Sequence, residues 1–464
     1  MKILIVDKKK LEKKGLVKVS FNEKITESRL VVDGKNEILE IKTLSRDKFS
    51  WRYAMLLARE IIFVAKRYGI KKLAIDWDEI VNLNLGEESA VAEVFAINFE
   101  MANYEFVKYK TVPKEGWKFV TDIQLVSSNG KVIKEAIARG QLIGIETNAC
   151  RDLANIPGGD MTPGILVSDI KKAIVGTGIK MKVLEEVEMK KLGMELVLGV
   201  GRGSKEKSKF IILEYTGKQE KNPIVLIGKG VTYDSGGLDL KPGNSMLEMS
   251  MDMSGGSAVA HAIIAVAKLK IKKRIIGLIP AVENMPSGES FRPGDIIKSM
   301  SGQTVEIQST DAEGRLILAD ANTYAESFNP ALVVNVATLT GAASVALGQR
   351  ASVIFTNNNL ELENNLRELG EKSGDYVWPL PMWEEYEAEI KGTMGDICNI
   401  RNQGNTREGG TILGAMFIYQ FAKKFPAWAH IDIAPRMTPV FDEFLAKGAA
   451  GAPVRLLVKL IENI

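Results

Sequence analysis

The sequence predicts an α/β fold in two domains: a small N-terminal α/β domain, and a larger C-terminal domain with a central, mainly parallel sheet covered by helices. Three observations carry that expectation. The chain has 464 residues, whereas a single hydrophobic core stops growing at roughly 250 to 300 residues. Its second part alternates continuous apolar runs with helical segments, the pattern of parallel strands buried on both faces. Glycine-rich segments follow several of those runs, at the carboxyl ends of strands, where open α/β sheets bind ligands.

In the first part, Ile3 to Val6 reads as a short buried strand. Trp51 to Arg67 carries apolar residues at helical spacing and ends at Tyr68-Gly69, before a strand at Lys72 to Ile75. A helix over Glu87 to Glu100 and a strand over Val120 to Ser127 follow, with Ser128-Asn129-Gly130 as a turn signal. A long helical pattern from Lys131 to Ala154 then reaches Asn155-Ile156-Pro157-Gly158-Gly159. The domain boundary is expected within that helix, dividing residues 1–145 from 146–464.

Beyond it, strands are predicted at Phe210 to Glu214, Ile224 to Ile227, Ile275 to Pro280, Leu332 to Ala337 and Ala429 to Ile433. Helices are predicted near Ser257 to Lys268, Leu318 to Ser327, Leu360 to Ser373 and Gly410 to Lys423. Gly228 and Thr338 each follow a predicted strand, so their segments belong at the sheet's carboxyl edge. No internal repeat or low-complexity tract interrupts the pattern.

Composition narrows the function classes. Hydrophobic residues make up 45% and charged residues 26%, the balance of a folded globular protein. The formal net charge of +3 implies no particular partner. Lys8-Lys9-Lys10 with Lys13-Lys14 would suit nucleic acid or an acidic surface, although a solvated face is the commoner meaning of such a run. The apolar run from Ile3 to Val6 is too short for a signal peptide, and no stretch of about 18 apolar residues occurs, so a cytoplasmic protein without membrane contact is expected. Cys150 and Cys398 match no disulfide framework or metal spacing and read as reduced, packed side chains. Two histidines, His261 and His430, are too few for HExxH zinc chemistry, and no GxSxG elbow supports a serine nucleophile.

The chemistry is concentrated in two blocks. Ser309-Thr310-Asp311-Ala312-Glu313-Gly314-Arg315-Leu316 places two carboxylates and an arginine at alternating positions, which share a face if the segment is extended. Such a set suits hard cations with an anion beside them, although a pair of solvated carboxylates is the commoner meaning of Asp-x-Glu alone. Gly228 to Gly237 sets Lys229 and Asp234 among glycines that admit close approach of backbone to a ligand. It completes neither GxGxxG nor GxxxxGK[ST], so a phosphate loop is excluded there and at Gly199 to Gly203. Lys241 and Asp252 follow. Asp252 lies between Met251 and Met253 ahead of Ser254-Gly255-Gly256, and a ligand role and an N-cap role stand level for it.

Further blocks extend the series in order: Asn155-x-Pro157, Leu198 to Gly201, Leu240-Lys241-Pro242, Glu283 to Gly288, Arg292 to Asp295, Ala337 to Ala342 and Trp428 to Ala434. Together they resemble the leucyl (cytosol) aminopeptidase family of dinuclear-metal peptidases, and the resemblance runs through the whole second domain. The N-terminal domain carries none of these motifs.

The resemblance implies an aminopeptidase that releases N-terminal residues, preferably leucine or other large apolar ones, from peptides. It implies two divalent metal ions per subunit, Mn²⁺ or Zn²⁺. Lys229, Asp234, Asp252 and Glu313 would hold the tighter one, and Asp234, Asp311 and Glu313 the looser one, with Asp234 and Glu313 bridging. Two divalent cations balance the four carboxylates, and a lysine that binds metal must be neutral. A water bridging the metals would attack the scissile carbonyl, Lys241 would stabilise the oxyanion, and a bicarbonate ion held by Arg315 would accept the proton. Leu339 and Gly341 would position substrate through backbone groups, with Thr338 and Met249 in the side-chain pocket. A methionine is more often core filling, and it is the family's apolar pocket that favours contact for Met249. Family members assemble as hexamers, so a homo-hexamer is implied.

The chain departs from the family pattern at Ser309, usually asparagine, at Pro435, usually glycine, and over Gly448 to Pro453. None of these is an implied ligand, so they bear on pocket shape and subunit contacts. Two rival readings remain at this level. A nucleic-acid-binding role rests only on the N-terminal lysines, and another two-metal hydrolase, such as a phosphoesterase, would call for more histidine ligands than the chain has.

Overall fold

The computed structural model describes residues 1–7, 15–34, 36–45, 48–128, 130–217, 221–404 and 408–464. The lysine run at 8–14 and Asn129 of the turn signal lie outside them. The fold is mixed α/β, and the chain divides into two compact units. One comprises Met1–Asn148 with Pro439–Lys447, the other Ala149–Thr438 with Gly448–Ile464, and the division falls inside the helix Gly130–Ala154.

In the first unit, a six-stranded sheet runs in the order Lys2–Val6, Asp122–Val126, Lys72–Asp76, Val17–Asn22, Asn36–Lys42, Arg29–Asp33. All neighbours are parallel except the last pair. The helix Trp51–Arg67 forms because Ser50 accepts a hydrogen bond from Tyr53 N (3.2 Å) at its start, while Lys66 and Arg67 face its negative end. Ala54, Leu57, Ala58, Ile61, Ile62 and Ala65 recur at helical spacing and are fully buried in this unit's core.

The second unit is built on a nine-stranded sheet. Its path is Val377–Pro379, Ser352–Thr356, Trp428–Asp432, Leu332–Ala337, Ile224–Gly228, Arg274–Asn284, Lys209–Thr216, Lys180–Leu184, with Gly230–Asp234 pairing beside Arg274–Asn284. The centre is parallel: Leu332–Ala337 pairs in parallel with both Trp428–Asp432 and Ile224–Gly228, and Ile224–Gly228 with Arg274–Asn284. Lys180–Leu184, Lys209–Thr216 and the Ser352–Thr356 pairing supply the antiparallel contacts. These central strands are buried along their length, which is why they read as unbroken apolar runs.

The helix Ser254–Lys268 packs on the sheet so closely that a Cβ on Gly228 would lie 2.6 Å from Gly255 O. Only glycine allows the helix start to abut the end of that strand. Gly256 N then donates to Lys229 O at 2.7 Å, fixing the backbone of the residue that follows the strand.

His430 sits in the middle of the sheet, fully buried, its ring stacked between those of Phe355 (6.2 Å) and Trp428 (6.4 Å). Neither ring nitrogen has a hydrogen-bond partner among the described residues. Burial, with the charge of Arg315 adding to it, pushes the imidazole down from 6.5 to about 3. The unfolded chain therefore takes up a proton near pH 6.5 that the folded chain refuses until about pH 3. The stability tied to the neutral ring is complete above that window and is lost as pH falls through it. Between pH 7 and pH 5 the protein should lose about 2 kcal/mol that a His430→Phe variant keeps, read from urea unfolding. Equal acid losses in the two proteins would refute this.

Candidate metal centre and substrate cleft

The carboxyl ends of the central strands deliver the charged groups. Lys229 follows Ile224–Gly228, Asp234 ends Gly230–Asp234, and Thr338 follows Leu332–Ala337. Asp252 lies in the short turn Met249–Met253 just before the helix Ser254–Lys268, whose start has no side-chain cap. The N-cap alternative is thus not realised: Asp252 Oδ1 instead accepts from Thr338 Oγ1 at 2.7 Å.

Asp311 and Glu313 are not on an extended segment, as their alternation suggests. Thr310 and Asp311 form a turn, and Glu313, already with helical dihedrals, immediately precedes the helix Gly314–Ala325. The Gly314-Arg315 step that breaks the period begins that helix. A Cβ on Gly314 would meet Lys229 Cε at 2.6 Å and Nζ at 2.8 Å, so any larger residue there would have to displace the lysine from its two carboxylates. The lysine side chain thus lies directly over the helix start.

Four carboxylates and two ammonium groups converge. Lys229 Nζ is 2.9 Å from Asp252 Oδ2 and 2.8 Å from Glu313 Oε1, and it donates to Thr338 O at 2.9 Å. Lys241 Nζ is 2.8 Å from Asp234 Oδ2 and 2.6 Å from Asp311 Oδ1. Asp234 Oδ1 accepts from Gly236 N (2.9 Å) and Asn284 Nδ2 (2.8 Å), and the same amide donates to Thr310 O at 3.0 Å. Arg315, buried, donates from Nη1 to Asn399 O at 2.7 Å, while its Nε has no hydrogen-bond partner among the described residues.

Burial and mutual repulsion dominate the electrostatics. Burial, with the charge of Glu313, raises Asp234 to about 6 against the pull of Lys241 and Lys229. Asp252 is pushed well above the carboxylate range by burial, against the pull of Lys229. Burial would raise Glu313 too, but Lys229 and Lys241 outweigh it and hold that carboxyl below its usual value. For the two lysines burial disfavours the charge, yet the surrounding carboxylates hold both above their ordinary value. Arg315 is brought down to about 10 by burial, in spite of Glu313 and Asp432.

This donor set fits divalent cations. Oxygens of Asp234, Asp252 and Glu313 lie within 4.8 Å of one another, all from buried residues. Asp252 Oδ2 and Glu313 Oε1 lie 2.9 and 2.8 Å from Lys229 Nζ, and neither buried oxygen has another hydrogen-bond partner among the described residues. Carboxylate oxygens with an amine nitrogen suit Mn²⁺ or Zn²⁺.

All the sequence-derived candidates line one open cleft of about 1090 Å³: Lys229, Asp234, Lys241, Asp252, Asp311, Glu313 and Arg315 with Met249, Thr338, Leu339 and Gly341. Three further residues organise it. Asn284 and Asp432 lie inside recognised sequence blocks, whereas Asn399 lies in none. Asp432 accepts from Leu339 N (3.1 Å), Thr340 N (3.4 Å), Thr340 Oγ1 (2.6 Å) and Thr411 Oγ1 (3.2 Å). No helix among the described residues is long and apolar enough to cross a membrane.

Residues 148–458 match the catalytic domain of the cytosol aminopeptidase family. The chain is 40% identical over 377 residues to a probable cytosol aminopeptidase of Methylobacillus flagellatus, covering 80% of this chain and 74% of that protein. It is 43% identical over 334 residues to one of Thioalkalivibrio sulfidiphilus, covering 71% of this chain and 65% of that protein. Among solved structures, it is similar to the bottromycin maturation enzyme BotP, with a TM-score of 0.84 and 28% identity over 96% of this chain and 98% of that one. A second structure of BotP, in complex with Mn, matches with a TM-score of 0.84 at 27% identity, over 97% of this chain and 98% of that one. With a family match spanning most of its length and a relative this similar, the chain belongs to the cytosol aminopeptidase family and is a metal-dependent aminopeptidase, a hydrolase.

Proposed function

We propose that this enzyme removes leucine or other large apolar residues from the N-termini of peptides. Lys229, Asp234, Asp252 and Glu313 hold the tighter of two divalent cations, Mn²⁺ or Zn²⁺, and Asp234, Asp311 and Glu313 hold the looser. The observation that carries the reading is the convergence of four carboxylates and two lysines on one wall of an open cleft. Bound there, the cations would supply activation of a water nucleophile, polarisation of the scissile carbonyl and an anchor for the free amine.

The chain's own groups do the rest. Lys241 is a fixed cation at the cleft wall, held between Asp234 and Asp311, where it can offset negative charge developing on the carbonyl oxygen. Such preorganised charge contributes a few kcal/mol in a transition state. Arg315 keeps an unused donor at Nε while Nη1 is anchored to Asn399 O. That suits it to hold a small anion, bicarbonate, as the proton acceptor. Backbone groups of Leu339 and Gly341 align the peptide, and Met249 and Thr338 border the pocket for the first side chain. The apolar Leu380, Ile412 and Val345 also line the cleft, which favours large apolar residues over charged ones.

From the family resemblance we further propose a homo-hexamer, and a cytoplasmic location in keeping with the relatives' name. Chelator-dialysed protein should lose hydrolysis of a leucine anilide and regain it with Mn²⁺ or Zn²⁺, with aspartyl and lysyl anilides cleaved more slowly. Full activity after complete metal removal would overturn the reading. Light scattering on the same preparation should give six times 50.9 kDa, and a monomer mass would end the hexamer proposal.

A further inference from the structure

We infer that Asn399 is a positioning residue for the looser cation site, acting through the turn that carries Asp311. The inference rests on the reading of Asp311 and Glu313 as ligands.

Asn399 is fully buried, and its amide is used to capacity. Both Nδ2 hydrogens are donated, to Ser309 O at 2.6 Å and Ala312 O at 3.3 Å. Oδ1 accepts from Gln308 N at 2.8 Å and Ser309 N at 3.3 Å. An asparagine amide can make four such bonds, and here every one goes to the segment 308–312 that brackets Asp311. The backbone carbonyl of the same residue takes the hydrogen bond from Arg315 Nη1 at 2.7 Å.

Asn399 is itself fixed from behind. Its N–H donates to Glu306 O at 3.1 Å, continuing the parallel pairing of Ile397–Cys398 with Val305–Glu306. The Glu306 carboxylate receives the backbone N–H groups of Met394 and Gly395. One buried side chain thus transfers the rigidity of this small sheet to the ligand turn.

The effect should be selective between the two sites. Glu313 is 1% exposed, directly precedes a helix, and faces Lys229, which packs over Gly314. Its position has supports that do not involve Asn399. The Asp311 side chain is 41% exposed. Ahead of it the turn is also held at Thr310, whose N–H donates to Asp239 Oδ2 (2.8 Å), whose hydroxyl donates to Gly236 O (2.6 Å) and whose carbonyl accepts from Asn284 Nδ2 (3.0 Å), and by the bond from Asp311 N to Ser309 Oγ at 3.2 Å. Behind it, the Ala312 carbonyl takes its side-chain bond from Asn399. Loosening the turn therefore displaces Asp311 before it disturbs Asp234, Asp252 or Glu313.

Mn²⁺ titration of chelator-dialysed full-length protein, by calorimetry and electron paramagnetic resonance, tests this without reference to activity. Wild type should bind two Mn²⁺ per subunit with unequal affinity. Asn399→Ala should leave the tighter site within about twofold and weaken the looser one at least about tenfold, the scale of losses from residues that orient metal ligands. Asn399→Asp keeps the acceptor and replaces the donor facing Ser309 O and Ala312 O with an oxygen, so it should show the same selective loss. It decides the matter if the alanine variant does not fold. Equal weakening of both sites, or an isotherm superimposable on wild type, would overturn the positioning role. A wild-type protein that binds fewer than two Mn²⁺ would end the ligand reading and this inference with it.

Discussion

Replacing Glu313 with glutamine should lower kcat/KM for a leucine anilide at least about 10³-fold, about 4 kcal/mol of transition-state stabilisation, while leaving the fold intact. The side chain is 1% exposed and its oxygens face the interior of the carboxylate cluster. Glutamine keeps the shape and removes the charge, so the packing of Gly314 against Lys229 is preserved. Lys229 is not stranded, because Asp252 remains 2.9 Å away. What is lost is the negative charge that suits this position to both cations. Elemental analysis should show less bound metal, while the urea unfolding midpoint moves little. A Glu313→Gln enzyme with wild-type kcat/KM at saturating Mn²⁺ would end its assignment as a ligand.

The helix Trp51–Arg67 could be read to the residue because a cap, a one-sided apolar stripe and a basic end coincide in contiguous sequence. The central strands Ile224–Gly228 and Leu332–Ala337 were legible for the opposite reason: burial on both faces leaves no polar position to break the run. Val17–Asn22, Arg29–Asp33 and Asn36–Lys42 were missed because their apolar positions are short and interrupted or bounded by polar and charged residues, and they lie at one side of their sheet, where a propensity signal is weakest. Lys180–Leu184, at the other sheet's edge, carries two exposed lysines and failed in the same way.

In the site, a short motif brought the charged groups into view but not their geometry. Asp311 and Glu313 converge with the rest through a turn into a helix rather than along an extended face, since the helix start at Gly314 overrides the period of two. Asn399 carried no local signal at all. Its partners Gln308, Ser309 and Ala312 lie about 90 residues away, and the chain between them reveals nothing of a contact that only the fold creates.

Asp432→Ala should destabilise the catalytic unit by about 3 to 5 kcal/mol and lower kcat/KM at least about 100-fold, because one carboxylate holds together three segments of the cleft. Oδ1 takes the N–H groups of Leu339, Thr340 and Ala434, and Oδ2 takes the hydroxyls of Thr340 and Thr411. Alanine leaves five donors, three of them in buried bonds, facing an apolar methyl, with the backbone at Leu339 free to shift relative to the metal cluster. Asp432→Asn separates charge from geometry. Its carbonyl oxygen can still serve the three amides, and the two threonine hydroxyls can reverse to accept from the new NH₂. Burial already raises the Asp432 carboxyl above its usual range, so a neutral group costs less here than at an exposed site, and the asparagine variant should lose less than about 1.5 kcal/mol. None of the five donors belongs to a candidate ligand, so bound metal should be unchanged in both variants. That contrast decides the role: wild-type kcat/KM in Asp432→Ala would show that the Leu339 loop needs no such anchor, and loss of metal would place Asp432 with the ligands rather than with the substrate loop.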